Sequence, residues 1–112
     1  MVNVAIAAEP PPEVALSLTT REEMEAYIRQ NYPVQATDMI RVIECESHFD
    51  STIGGDIRNG VPTSWGLSQI HLPAHPEVSK EEATDPEFAI RFMGEAFKNG
   101  KQGMWSCYRL TK

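Results

Sequence analysis

Thr37-Asp38-Met39-Ile40-Arg41-Val42-Ile43-Glu44-Cys45-Glu46-Ser47 is the stretch on which the reading of this chain turns. At helical period Met39, Val42 and Ile43 share one face, and Glu46 is the next residue on it. Arg41 and Glu44 fall on the opposite, watered side. Of two carboxylates two positions apart, one is solvated and the other is aimed at the core. Burial disfavours the charged form of a carboxylate and raises its pKa. A carboxylic acid that keeps its proton near neutral pH can give it to a leaving group. The plainer alternative is a buried Glu satisfied by a neighbouring donor, with no chemistry.

Outward from this helix, Ser47-His48-Phe49-Asp50 marks its end, and Gly54-Gly55, Asn59-Gly60 and Pro62 are turn chemistry. Ser64-Trp65-Gly66-Leu67-Ser68-Gln69-Ile70 follows. The order Glu46-Ser47, short loop, Gly66-Leu67-Ser68-Gln69-Ile70 resembles the lytic transglycosylase and goose-type lysozyme superfamily. Two later segments extend the likeness. Asp85-Pro86-Glu87-Phe88 resembles the family's Asp/Asn-Pro-Glu helix start, and Trp105-Ser106-Cys107-Tyr108 its closing segment, which faces the catalytic Glu. The likeness covers roughly residues 35 to 110. Each motif alone is weak; four in order are specific. The chain departs from the family at Ala89-Ile90, where Asn-Ile is common, and at Cys107-Tyr108-Arg109, where Ala-Tyr-Asn is common.

The resemblance implies a mainly α, small single-domain lysozyme-like fold with little or no β-structure. It implies Glu46 as the catalytic residue, with Ser47, Trp65, Gln69, Ile70 and Tyr108 binding substrate. The substrate implied is the peptidoglycan glycan strand, cleaved at the MurNAc–GlcNAc bond without a cofactor. In lytic transglycosylases one Glu protonates the glycosidic oxygen. It then serves as base toward the sugar's own 6-hydroxyl, leaving a 1,6-anhydro end. Ser47 would hold the helix end or touch substrate. Gln69, a donor and acceptor at once, suits an acetamido group. Trp65 would stack on a sugar or pack in the core. Tyr108 would hydrogen-bond Glu46.

Glycoside hydrolases generally use two carboxylates. Asp50 and Asp56 are the only nearby partners for Glu46, and both lie in the loop, where Asp is more often a turn residue. A single carboxyl group favours transglycosylation over hydrolysis. The alternatives are a muramidase on the same fold, with Asp50 or Asp56 holding water, and an inactive glycan-binding module.

The 112 residues are one domain's worth, with 41% hydrophobic and 23% charged residues and a net charge of −6. The acidic balance speaks against nucleic acid as a partner. No apolar run is long enough to span a bilayer. Residues 1–18 read as a tail, with the short apolar run Val4 to Ala8 and the stiff Glu9-Pro10-Pro11-Pro12-Glu13. That run is too short for an intact signal peptide; the expectation is a tail that packs loosely or not at all, with the remnant of a signal peptide or the end of a linker as alternatives. The domain is set at residues 19–112 and expected to be a monomer.

Thr20-x-x-Glu23 is a capping box opening a helix to about Gln30, with Met24, Tyr27 and Ile28 on its apolar face. Asp85 and Pro86 open the last long helix, and Asn99-Gly100 ends it. Its stripe of Phe88, Ala89, Phe92, Met93, Ala96 and Phe97 reads as core. The one strand signal is a hairpin around Asp56 to Pro62.

Cys45 and Cys107 are free, metal-bound or bridged, and no further soft ligand stands close enough in sequence to support zinc. The resemblance packs the closing segment on the Glu46 helix, which would bring the two within bonding distance. A bridge would fit a secreted, periplasmic or wall-associated enzyme. His71 and His75 have helical ligand spacing, but Pro73 between them disfavours a helix, so no metal site is expected. Asp50, Asp56 and Asn59 lack the oxygen pattern of a calcium loop.

Overall fold

The computed structural model describes residues 18–111, so all but Leu18 of the expected tail lies outside the described residues. Helix α1, Arg21–Asn31, starts where its capping box dictates. The Glu23 amide donates to Thr20 Oγ1 at 3.1 Å, and the Thr20 amide donates back to the Glu23 carboxylate at 3.0 Å. Met24, Tyr27 and Ile28 are its buried face, as the spacing predicts.

Helix α2, Ala36–Ser47, buries Met39, Val42 and Ile43 completely. Its other side is bound up in surface charge. Arg41 donates to Asp38 at 2.6 Å, and Glu44 accepts from Arg21 and lies 3.1 Å from His48 Nδ1. The helix stops in a reversal that few side chains tolerate: His48 (φ 53°) and Phe49 (φ 61°) are both left-handed. Phe49 is held there by burial in the main core. The five non-glycine residues with positive φ among those described all lie between His48 and Gln69.

The segment after α2 corrects the expectation of little or no β-structure. Strands β1 (Gly54–Arg58), β2 (Val61–Trp65) and β3 (Ile70–His71) form an antiparallel sheet in that order. Arg58 pairs with Val61, so Asn59-Gly60 is a two-residue hairpin turn with both residues at positive φ. The expected hairpin is therefore present but longer. What the sequence hides is β3, a two-residue strand too short for any periodicity to register.

A short helix α3, Lys80–Ala83, precedes α4, Pro86–Lys98. Asp85 caps α4 by accepting from the Phe88 amide at 2.9 Å. Helices α1, α2 and α4 close the main core, to which Trp105 and Cys107 also belong. Ile70, Val78 and Ala83 form a smaller cluster beside the sheet, and Phe92 packs against both clusters. The fold is thus mainly helical with a small sheet. No helix among the described residues is long and apolar enough to cross a membrane.

The last helix, α5 (Ser106–Thr111), lies on α2. Cys45 and Cys107, 62 positions apart in sequence, form a disulfide with Cα atoms 5.9 Å apart. A loop of that size stabilises by about 4 kcal/mol in the chain-entropy model. The bond fixes α5 to α2 one residue before Glu46.

Candidate active site

The segment Gly66 to Ile70 joins three parts of the molecule. Gly66 has φ +82°, and a Cβ there would come 1.8 Å from the Ala83 carbonyl oxygen, so only glycine fits. Leu67 is fully buried, and its carbonyl accepts from Ser47 Oγ at 2.8 Å. The Ser68 carbonyl accepts from the Trp105 indole N–H at 2.7 Å. Gln69 Nε2 donates to the carbonyls of Ile53 (3.1 Å) and Gly66 (3.0 Å). The segment therefore ties the end of α2 to the sheet and to the approach to α5.

Between these elements lies a cleft of about 440 Å³. Glu46 stands in its wall, half-buried in the last turn of α2. Burial pushes its pKa above the ordinary carboxylate value. The Cys107 backbone N–H, donating to Oε2 at 3.4 Å, opposes that shift only in part. The bond is long, so the carboxyl group is desolvated without being well paired. A raised carboxyl pKa favours the protonated form, which is the form that general-acid chemistry uses.

Asp56 lines the same cleft, and it is the acidic residue to which the sequence pattern gives little weight. It sits in β1 at φ 51°, with its carboxylate 3.4 Å from Arg58 Nη2 and 3.2 Å from His71 Nδ1. Asp50 takes the turn role instead: the Thr52 amide and hydroxyl both donate to it, at 3.0 and 2.9 Å. Those bonds hold the Asp50 carboxyl below its ordinary value.

Ser64 and His71 are also in the cleft, with Ser64 Oγ 3.2 Å from His71 Nδ1. Ser64 and Asp56 thus approach the same ring nitrogen. A nucleophilic triad needs them on opposite nitrogens, so this group is not one. Among the described residues no cluster of His, Cys, Asp or Glu could hold a metal ion.

The other residues picked from sequence divide. Gln69 and Ile70 line the cleft. Both Gln69 donors are engaged on backbone carbonyls, which leaves its Oε1 as an acceptor; the expected double role is reduced to one. Ser47 is 0% exposed, so of its two expected roles it takes the one that holds the helix end. Trp65 is away from the cleft. It packs beside Ile70, Val78 and Ala83, with the Lys80 ammonium 4.1 Å over its ring, which is the packing alternative of its two expected roles. The Tyr108 ring lies between the edge of Phe97 (5.8 Å) and the Arg41 guanidinium (5.7 Å). The cleft wall nearest it in sequence is Met104, Trp105 and Ser106.

Phe92 departs furthest from its sequence reading. The helical stripe places it in the core, yet it is half-buried and lines the cleft. A signal for this exists: α4 carries two apolar rows, Ala89-Met93-Phe97 and Phe88-Phe92-Ala96. The first row is buried, and the second is only partly covered. Comparison with protein-family models, curated proteins and solved structures finds no match for this chain.

Proposed function

We propose that this chain cleaves the MurNAc–GlcNAc bond of peptidoglycan as a lytic transglycosylase, on a lysozyme-like scaffold. The observation that carries the reading is the Glu46 carboxyl group: half-buried, raised in pKa and poorly paired in the wall of a cleft. The sequence likeness at Glu46-Ser47 and Gly66 to Ile70 supplies the substrate class. Glu46 donates its proton to the glycosidic oxygen as the bond to the anomeric carbon breaks. The resulting carboxylate takes the proton of the 6-hydroxyl as that oxygen closes on the anomeric carbon. Glu46 therefore ends the cycle protonated, with no water consumed. Gln69 Oε1 is the acceptor available for an acetamido N–H. Work on wall material fits a disulfide-bonded chain in an oxidising compartment.

A muramidase is the second reading, and Asp56 in the same cleft favours it. There Asp56, steadied by Arg58 and His71, would hold the attacking water. Mass spectrometry of the sugars released from purified wall separates the two. Transglycosylation leaves 1,6-anhydroMurNAc ends, and hydrolysis leaves reducing MurNAc.

A further inference from the structure

Asp56 does not face the cleft by strand geometry alone. Strands β1 and β2 pair in regular register, with Gly55 opposite Ser64 and Ile57 opposite Pro62. Alternation puts Gly55 and Ile57 on the sheet face that carries Ser64, and Asp56 on the other. Ser64 is in turn opposite His71 of β3, so His71 belongs to the face from which Asp56 should turn away. Yet both residues line the cleft, and Asp56 Oδ2 lies 3.2 Å from His71 Nδ1, a contact that spans β2. The left-handed backbone at Asp56 (φ 51°) breaks the alternation and lets the carboxylate reach across. The Thr63 hydroxyl holds that backbone by donating to the Asp56 carbonyl at 2.6 Å.

The ring is held from its own side. Ser64 is 5% exposed, and its Oγ lies 3.2 Å from the same Nδ1. A carboxylate can only accept, so the contact with Asp56 calls for the ring proton on Nδ1. Arg58 adds two donors, with Nε 3.4 Å from Oδ1 and Nη2 3.4 Å from Oδ2. Three N–H groups thus face the two carboxylate oxygens. The Asp56 side chain is 40% exposed, so water can reach it. A water activated as a nucleophile must give its own proton to one of those oxygens, and N–H groups stand where it would donate.

We propose that His71 is a positioning residue that withholds Asp56 from water, and so decides between transglycosylation and hydrolysis. The inference rests on the proposed acid–base role of Glu46. With Asp56 engaged, the sugar's 6-hydroxyl is the nucleophile left for the anomeric carbon, and Glu46 takes its proton. With Asp56 released, a second route opens. Glu46 still protonates the leaving oxygen as the glycosidic bond breaks. The water oxygen then bonds to the anomeric carbon, and Asp56 takes the proton that the water sheds. Asp56 returns that proton to solvent, and Glu46 regains one from it. The contacts that steady Asp56 are therefore also the ones that occupy it.

The test is the ratio of reducing MurNAc to 1,6-anhydroMurNAc ends released from purified peptidoglycan, a readout that lost packing alone would not move. His71→Ala should raise the ratio about tenfold or more. His71→Asn, whose amide can place an N–H near the position of Nδ1, should stay within about twofold of the parent. Adding Asp56→Asn to His71→Ala should return the ratio to that of the parent. Arg58 is 65% exposed, so Arg58→Ala removes the other donor without touching the core, and it should move the ratio in the same direction. A thermal melt shows which variants fold, and Arg58→Ala carries the test if His71→Ala does not. Unchanged ratios in the folded variants, or a rise that Asp56→Asn fails to reverse, would overturn the inference and leave the transglycosylase reading standing. Reducing MurNAc as the main product of the parent would overturn both.

Discussion

Ser47 Oγ donates to the carbonyl of Leu67 at 2.8 Å and lies 3.1 Å from the carbonyl of Ile43 in its own helix. One hydroxyl thus joins the last turn of α2 to the segment that floors the cleft. Glu46 is its neighbour in sequence, so the bond sets the position of the carboxyl group relative to Gln69 and Ile70. The Glu-Ser pairing has a physical reason: the acid faces the cleft and the hydroxyl faces the core.

Ser47→Ala should therefore act on stability. It leaves the buried Leu67 carbonyl without this donor, at a cost of about 1–3 kcal/mol. Urea denaturation checks this. An unchanged midpoint would remove Ser47 from the framework of the site.

Glu46→Gln should be more stable than the parent near neutral pH. Burial raises the Glu46 pKa above the unfolded value of about 4.5, so the folded state favours its protonated form. The stability that this proton confers is complete below the unfolded value. It is lost as pH rises from there through the raised folded value. The melting temperatures of the two proteins should converge in acid and diverge above it, with the Glu46→Gln variant the higher. Parallel curves would mean that Glu46 is solvated.

Replacing Cys45 and Cys107 by Ser should cost about 4 kcal/mol in the chain-entropy model and loosen α5 against α2. Denaturation with and without reductant measures it. If reduction leaves the midpoint in place, the closing segment is held by packing alone.

Gly66→Ala should be destabilising by more than an exposed Gly-to-Ala change, because its Cβ meets backbone that cannot swing away and its φ is left-handed. A melting temperature equal to that of the parent would contradict that placement.

The helices are readable because each carries a local signal: a capping box at Thr20, a cap and proline at Asp85-Pro86, and a clean period at Met39, Val42 and Ile43. Glu46 is readable for the same reason, as a break in that period. What escapes is made by tertiary contact. Strand β3 exists only because it pairs with β2 at Ser64 and Trp65. Asp56 reads as a turn acid until the hairpin swings it into the cleft. Trp65 takes the packing alternative of its two expected roles, and Phe92, read as core, also lines the cleft. Which aromatic is covered depends on where the loop from Ile70 to Val78 lies, and no local pattern encodes that.

The most direct test is the product spectrum of purified peptidoglycan treated with the parent, with Glu46→Gln and with Asp56→Asn. One carboxyl group acting as acid and then base predicts 1,6-anhydromuramyl ends from the parent. It predicts a loss of about 100-fold or more in Glu46→Gln and less than about tenfold in Asp56→Asn. Reducing-end MurNAc as the main product, with Asp56→Asn as damaging as Glu46→Gln, would contradict it.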